Sequence, residues 1–116
     1  MLREDAIAVI SASLSRGSIA PAAGAANPDA YLATQGARLL EVVVEPTVVT
    51  ISRSTFDYGL LEQLQGETLF AIAREADTWL IYCTPSKRFL QAFGGSVNDL
   101  TALGFASEDA LCEWLG

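Results

Sequence analysis

The chain contains no histidine, and this limits the chemistry that its side chains can perform. Histidine is the most common general base and the most common neutral metal ligand in proteins. A serine nucleophile would instead need a lysine as its base, and the only lysine, Lys87, lies in a predicted exposed turn. A cysteine–histidine nucleophile is excluded. The residue types therefore favour a protein that is not an enzyme and holds no cofactor.

Carboxylates are the remaining groups that could perform acid–base chemistry. Glu41 and Glu45 lie on a predicted strand, and Asp57 and Glu62 lie on the helix predicted after it. Each also suits an ordinary role at a strand edge, in a helix cap or on a helix surface. We therefore interpret these four acids as structural or solvated residues.

Two further patterns lack the spacing of a metal or phosphate site. Glu75 and Asp77 are too few for a calcium loop, which needs a longer run of alternating oxygen ligands. Gly94 and Gly95 precede a predicted helix start, where an anion can bind, but Asp99 in the first helical turn disfavours one. A tight turn is the favoured interpretation of the two glycines.

The composition indicates one folded α+β domain spanning residues 1–116, with 51% hydrophobic and 18% charged residues. Seven basic against 14 acidic residues give a net charge of −7. This charge repels a phosphate backbone and argues against nucleic-acid binding. It favours a basic protein partner, or it serves only to keep an apolar chain soluble. Cys83 and Cys112 have no CxxC spacing and are interpreted as buried thiols.

The N-terminal segment is apolar but differs from a targeting signal. Glu4 and Asp5 stand where a signal peptide carries positive charge. No stretch approaches the ~20 apolar residues that span a membrane. We therefore expect a cytoplasmic protein that does not bind membranes.

The first half of the chain combines helical and strand patterns. Residues 2–15 have the spacing of an amphipathic helix, residues 17–27 are an Ala/Gly/Pro-rich flexible loop, and residues 28–35 form a short helix that Gly36 ends. Residues 38–53 are rich in β-branched side chains, with a hairpin or sharp bend at residues 45–47 around a proline.

A middle helix follows this strand region. Ser54 and Asp57 resemble a capping box that opens a helix ending at Gly66. In the alternative, Tyr58 and Gly59 form a turn and the helix starts after them.

The clearest pattern is a three-stranded antiparallel meander over residues 68–75, 78–84 and 88–93. Alternation of side chains sorts it into two faces, of which the second is unusually apolar and needs cover from the N-terminal helix or a partner. Tight turns predict the pairs Arg74–Trp79, Ile72–Ile81, Phe70–Cys83 and Cys83–Leu90. The face assigned to the core carries Phe70, Ile72, Trp79, Ile81, Cys83, Leu90 and Ala92, and the second face carries Leu69, Ala71, Ala73, Leu80, Tyr82, Thr84, Phe89, Gln91 and Phe93.

Two short helices are predicted at the C-terminal end, one opened by Ser96 over Leu100 and Leu103, and one opened by Ser107. The predicted fold is therefore α+β: a mainly antiparallel sheet of four to five strands, an N-terminal helix, a middle helix and two short C-terminal helices.

Recognition of another protein is the function that this residue content favours. Aromatic side chains anchor interfaces, and acidic ones steer a basic partner towards them. Asp109 and Glu113, however, are also interpreted as a solvated acidic helix face. The candidate partner-binding residues are Tyr58, Tyr82, Phe89, Gln91, Asp57, Glu62, Glu108, Asp109 and Glu113.

A small, acidic, histidine-free α+β domain resembles the bacterial immunity proteins, which neutralise a basic toxin by occluding its site. The resemblance implies an inhibitor-like or chaperone-like protein that binds a basic protein. The alternative is a homo-oligomeric structural or adaptor domain, a homodimer in its simplest form, that buries the second meander face against a second copy of itself.

Overall fold

A computed structural model describes residues 1–22, 24–56 and 58–116 of the chain. Within these ranges the chain forms four helices and one sheet of six strands, so the α+β class is confirmed and the predicted count of four to five strands is too low. The helices are α1 (Arg3–Ser15), α2 (Pro28–Glu41), α3 (Leu60–Gln63) and α4 (Ala110–Leu115). The strands are β1 (Val43–Val48), β2 (Ile51–Ser54), β3 (Thr68–Glu75), β4 (Thr78–Thr84), β5 (Arg88–Phe93) and β6 (Leu100–Ala102).

The sheet has the strand order β1-β3-β4-β5-β6-β2, and only β2 and β6 run parallel. Its two edges, β1 and β2, are separated in the chain by Val49 and Thr50 alone. The Val49 N–H donates to Leu69 on the β3 side, whereas the Thr50 N–H donates to Val97 on the β6 side, both at 2.9 Å. One bent segment therefore joins both edges, and the sheet curls around its inner face.

The inner face of the curled sheet encloses a core of its own. Leu60 and Leu64, at the start and the C-terminal end of α3, pack against it. The indole N–H of Trp79 donates to the Gly94 carbonyl at 2.8 Å, so its one polar group is paired. The buried side chains that the sheet and its bend contribute are Val49, Leu69, Ala71, Trp79, Ile81, Cys83, Leu90, Ala92, Leu100 and Ala102.

Helices of the same chain cover the outer face. Ala6 and Ile10 of α1, Leu39 of α2 and Leu111 of α4 are buried in a second core against the sheet. That core includes Ile72, Ala73, Leu80, Tyr82 and Phe89 from the strands. The apolar second face of the meander thus lies beneath α1 and α4. Among the described residues, no helix has the length and apolar character needed to cross a membrane.

The meander has the predicted strand bounds, but its first strand contains an irregularity. Ala71 pairs with Ile81 and Ala73 with Leu80, so Ile72 is an extra residue in β3. This bulge places Ile72 and Ala73 on the same face, which alternation alone forbids. The Arg74–Trp79 pair is confirmed, whereas the predicted pairs Ile72–Ile81 and Phe70–Cys83 are wrong by one residue. The faces predicted for this part of β3 are therefore wrong too: Leu69 and Ala71 lie in the inner core, and Phe70 and Ile72 pack in the outer one.

The loop between β4 and β5 is longer than predicted. Cys83 pairs with Arg88 and Ile81 with Leu90, so four residues lie between the last paired positions and the predicted Cys83–Leu90 pair is wrong by two. A shift of two residues preserves the face, and both side chains stay in the inner core.

Helix α2 continues past Gly36, where a stop was predicted. A Cβ atom at Gly36 would lie 3.3 Å from the Leu14 side chain, so this glycine allows close packing of α2 on α1. Leu39 and Leu40 are therefore helical and not part of a strand. Pro46 lies within edge strand β1, where the register shifts, and the bend falls later at Val49.

The predictions for the middle helix and the two C-terminal helices had mixed outcomes. Helix α3 begins after Gly59, as in the alternative interpretation of that segment. Leu100 and Ala102 belong to strand β6 instead of a helix, because both side chains enter the inner core with the alternation of a strand. Helix α4 is capped by Asp109, two residues after the predicted Ser107.

Candidate functional site

The loop after β2 carries two aromatic side chains, and hydrogen bonds hold its backbone in place. The Thr55 and Phe56 N–H groups donate to Ala102 and Leu103 carbonyls at 2.8 and 3.1 Å, which extends the pairing with β6. The Ser54 hydroxyl donates to the Phe56 carbonyl at 2.6 Å. The backbone that presents Phe56 is therefore held by hydrogen bonds at successive positions.

A glycine allows the facing segment to approach this loop. Gly104 has φ +130°, and a Cβ atom there would lie 2.9 Å from the Phe56 Cβ and 3.0 Å from the Phe56 carbonyl oxygen. An L-residue would be strained at this φ and would clash with the loop. The next residue, Phe105, therefore stands beside the loop.

Phe56, Tyr58 and Phe105 form an exposed aromatic cluster. Their ring centroids are 6.0 Å apart for Phe56–Tyr58, 5.7 Å for Phe56–Phe105 and 5.3 Å for Tyr58–Phe105. The three residues remain 42%, 62% and 47% exposed. Aromatic side chains normally place most of their area in a core, so three exposed rings in mutual contact make this patch the candidate site.

An acidic and apolar rim borders the cluster. Beside the rings lies a cavity of about 240 Å³, which is lined by Phe56, Leu61 and Glu62, among others. Leu61 is 37% exposed, and the Glu62 side chain is exposed. The carboxylate of Glu62 makes no ion pair within the described part of the chain.

The rim also contains an ion pair. Arg53 lies 3.3 Å from Asp99, and hydrogen bonds from Ser52 and Arg53 together with the charge of Arg53 lower the pKa of Asp99. Asp99 therefore stays ionised beside Arg53. Glu62 is the rim carboxylate that is available to an incoming cation.

The structure separates the nine predicted partner-binding residues. Tyr58 belongs to the aromatic cluster and Glu62 to its rim, whereas Asp57 lies outside the described residues. Glu108 is exposed at another position, before α4. The remaining five have structural contacts: Tyr82, Phe89, Gln91, Asp109 and Glu113.

Three of these five are on the covered sheet face. Tyr82 and Phe89 have ring centroids 5.1 Å apart, and Phe89 is 1% exposed. The Gln91 side-chain amide donates to the Trp114 carbonyl in α4 at 2.9 Å. A direct contact between the Phe89 ring and a partner would require a covering helix to move.

Asp109 and Glu113 do not form the solvated acidic face that their spacing predicts. The Asp109 carboxylate accepts from the Cys112 N–H at 3.0 Å and from the Ser18 hydroxyl at 2.8 Å. Glu113 is 8% exposed and accepts from the Ser107 hydroxyl at 2.7 Å. Burial raises the pKa of Glu113, the Ser107 hydrogen bond opposes the shift, and the charge of Asp109 adds to it.

Glu62 is the one described acid–base candidate at the cluster, and the cysteine and glycine candidates lie elsewhere. Burial raises the pKa of the Cys83 thiol to about 12, so this thiol is a poor nucleophile. Gly94 directly follows β5, and the next element in the chain is strand β6 and not the predicted helix, so the anion site considered at that helix start is not formed. Within the described ranges, no group of three or more cysteine, aspartate or glutamate side chains is placed to hold a metal ion.

Sequence patterns did not identify Phe56 and Phe105 as site residues. Phe56 fitted the apolar stripe of a predicted helix, and Phe105 followed a predicted helix end. The two rings meet because β2 pairs with β6, whose paired residues are 48 or 49 positions apart in the chain, and no local pattern indicates that pairing.

Comparisons of the chain with protein-family models, with curated proteins and with solved structures find no match in any of the three.

Proposed function

We propose that this chain is a non-catalytic protein-binding domain that engages a basic segment of another protein through its aromatic cluster. The observation that carries the proposal is the mutual contact of three exposed rings, Phe56, Tyr58 and Phe105. Tyrosine and other aromatic residues are enriched among the side chains that dominate binding energy. The hydrogen-bonded backbone beneath Phe56 lowers the entropy lost when the surface is ordered by a partner.

The charge of the chain supports a basic partner. The net charge of −7 attracts a cationic protein, and Glu62 supplies a carboxylate at the cluster. Aromatic ring faces also attract guanidinium and ammonium groups. An arginine or lysine side chain would thus contact both a ring and the Glu62 carboxylate. Within this class, an immunity-type inhibitor would occlude a basic site, and a chaperone-like protein would shield a basic segment.

Selection from a random peptide display library tests this proposal directly. With the wild-type chain as bait, we expect the enriched peptides to carry an excess of lysine and arginine. Their affinity should fall by about tenfold or more in Tyr58→Ala and Phe105→Ala, because truncation of a dominant aromatic contact costs about 2 kcal/mol. Affinities are measured by titration calorimetry with the synthesised peptides.

Two matched variants control the test. Phe93→Ala removes another partly exposed aromatic ring, one that takes part in no ring contact of the cluster. Glu41→Gln removes an exposed charge at the end of α2, for comparison with Glu62→Gln. Peptides without an excess of basic residues, or equal binding to the Tyr58→Ala and Phe93→Ala variants, would contradict the proposal.

A further inference from the structure

A second pocket, separate from the aromatic cluster, lies on the outer face between α1 and the β4–β5 hairpin. Its volume is about 290 Å³. Val9 and Ala12 of α1 supply its accessible apolar lining, Phe89 borders it but is 1% exposed, and Arg16 and Lys87 supply two cations. Tyr82 and Glu108 complete the lining. Three predicted partner-binding residues thus meet here, but in a setting whose charge is opposite to the one expected.

Neither cation of this pocket is neutralised by an acid of the described chain. The ion pairs in the described part of the chain are Arg53–Asp99 and Arg74–Asp77. Glu108 contributes its backbone carbonyl, which accepts from the Arg16 guanidinium at 3.1 Å. That bond fixes one edge of the guanidinium and leaves its other donors for a ligand. The lining thus carries two cations against the one exposed carboxylate of Glu108, a net positive charge in a chain of net charge −7.

The Tyr82 hydroxyl adds a third donor. It makes no hydrogen bond to another described residue. Among the described residues, the one buried side-chain polar atom without a partner is Ser86 Oγ, so the unpartnered Tyr82 hydroxyl is not fully buried. The Tyr82 hydroxyl therefore reaches solvent. Burial raises the pKa of Tyr82 while the charge of Arg16 opposes the shift, so the phenol is protonated at neutral pH. A protonated phenol can donate to an anion.

The backbone at Lys87 is unusual for its residue type. Lys87 has φ +62°, a left-handed conformation that few non-glycine residues adopt. Its N–H donates to the Cys83 carbonyl at 2.8 Å, which closes the hairpin loop. The strained conformation fixes where the lysine side chain starts, next to Arg88 at the beginning of β5. Such strain commonly marks a functional position.

We propose that this pocket binds a small organic anion, whose carboxylate or phosphate is held by Arg16, Lys87 and the Tyr82 hydroxyl while its apolar body rests on Val9 and Ala12 of α1. The planar guanidinium of arginine matches the geometry of both oxyanions. The volume lies at the lower end of the range for ligand pockets, which suits a ligand the size of a substituted benzene. This site does not depend on the aromatic cluster or on its protein partner.

Titration followed by two-dimensional amide NMR tests the site with defined probes: benzoate, phenyl phosphate, inorganic phosphate and neutral benzamide. We expect saturable shifts of the Arg16, Tyr82 and Lys87 amides with benzoate or phenyl phosphate, the tighter of which identifies the preferred oxyanion. Benzamide has the same shape without the charge and should not bind. Inorganic phosphate should bind more weakly than phenyl phosphate, since it lacks the apolar body. Equal binding of benzamide and benzoate, or no saturable shift with either organic anion, would overturn the proposal.

Variants separate a built site from general charge attraction. Lys87→Asn removes the charge with a residue that tolerates a left-handed φ, and we expect about tenfold weaker binding from the loss of one charged hydrogen bond. Arg16→Gln should weaken binding at least as much, and Tyr82→Phe by a smaller factor. The control Arg38→Gln removes an exposed cation of α2 and should leave affinity unchanged. If Arg16→Gln unfolds the chain, Lys87→Asn and Tyr82→Phe still decide the test, and equal losses in Lys87→Asn and Arg38→Gln would reject a specific site.

Discussion

Single residues determine how the aromatic cluster is assembled, and Gly104 is the most restricted of them. Its φ of +130° disfavours L-residues, and its missing side chain leaves room for the Phe56 backbone. The hydrogen bonds of Thr55 and Phe56 to the segment before Gly104 depend on that approach. The contact surface of the proposed binding site thus depends on a residue that contributes no surface itself.

A Gly104→Ala substitution tests this dependence. The added Cβ would lie 2.9 Å from the Phe56 Cβ, so we expect a loss of about 1–3 kcal/mol in the free energy of unfolding. Urea denaturation measures it. Gly95→Ala is the matched control, because Gly95 has no atom within 4 Å of its Cβ position and is free of the left-handed φ. Equal stability of the two variants would show that the loop is not packed as described.

Glu113 provides a test of pH dependence at the same scale. Burial raises its pKa above the usual value of 4.5, so the folded state favours the protonated carboxyl. Its contribution to stability is therefore present below the unfolded pKa and is lost as pH rises through the folded pKa. Glu113→Gln keeps an acceptor for the Ser107 hydroxyl and removes the charge. We expect the variant to be more stable than wild type at about pH 7, with a smaller difference at about pH 4.

Urea unfolding at both pH values measures the difference between Glu113→Gln and wild type. Glu108→Gln removes an exposed carboxylate close by and should change stability little at either pH. A stability difference for Glu113→Gln that does not change with pH would contradict the raised pKa.

At the scale of elements, one buried serine links the first helix to the last. Ser13 in α1 is 2% exposed, and its hydroxyl accepts from the Ala110 N–H at 2.9 Å and donates to the Glu108 carbonyl at 3.2 Å. It therefore serves the start of α4 from a position 97 residues away. This role explains why a serine lies on the otherwise apolar buried face of α1.

A Ser13→Ala substitution leaves the Ala110 N–H buried without a partner. We expect it to lower the free energy of unfolding by about 1–3 kcal/mol, the cost of an unsatisfied buried group. Amide exchange at Ala110 should also become faster. Ser15→Ala, at an exposed position of the same helix, should change stability by less than about 0.5 kcal/mol. Unchanged exchange at Ala110 in Ser13→Ala would exclude the proposed link.

Elements with regular local patterns were predictable from the sequence, whereas elements set by distant pairing were not. Alternation located the meander and the Arg74–Trp79 pair, whose guanidinium lies 4.2 Å from the ring centroid. The bulge at Ile72 has no local sequence signal, since it adds one residue to an unbroken apolar strand. β6 was predicted as a helix because a capping pattern near Ser96 outweighed the short alternation of Leu100 and Ala102.

The same distinction applies to the candidate site. Tyr58 and Glu62 were predicted from residue type, and both lie at the aromatic cluster. Phe56 and Phe105 were missed because their proximity arises from the parallel pairing of β2 with β6. Tyr82 and Phe89 were predicted as partner contacts, although the chain's own helix α1 covers that face. Sequence patterns gave the residue types of a binding surface without the pairing that assembles it.

At the scale of the whole molecule, the closure of the sheet affects how the chain can associate. The bent segment from β1 to β2 joins both edges, and α1, α2 and α4 cover the outer face. The meander face that was considered for a homodimer is therefore covered by helices of the same chain. The excess of acidic residues further opposes self-association, since copies of net charge −7 repel each other at low salt.

Light scattering during size-exclusion chromatography tests this expectation for the intact protein. We expect the mass of one 12.3 kDa chain at low and at moderate salt, because helices cover the outer face of the meander at both. Charge repulsion adds to this at low salt and weakens as salt screens it. Tyr58→Ala serves as the control for association through the aromatic cluster. A dimer that forms only as salt increases, and that Tyr58→Ala abolishes, would mean that the cluster pairs with itself once repulsion is screened. A dimer stable at both salt concentrations and unaffected by Tyr58→Ala would mean that α1 or α4 yields the sheet face to a second copy, contrary to the packing described here.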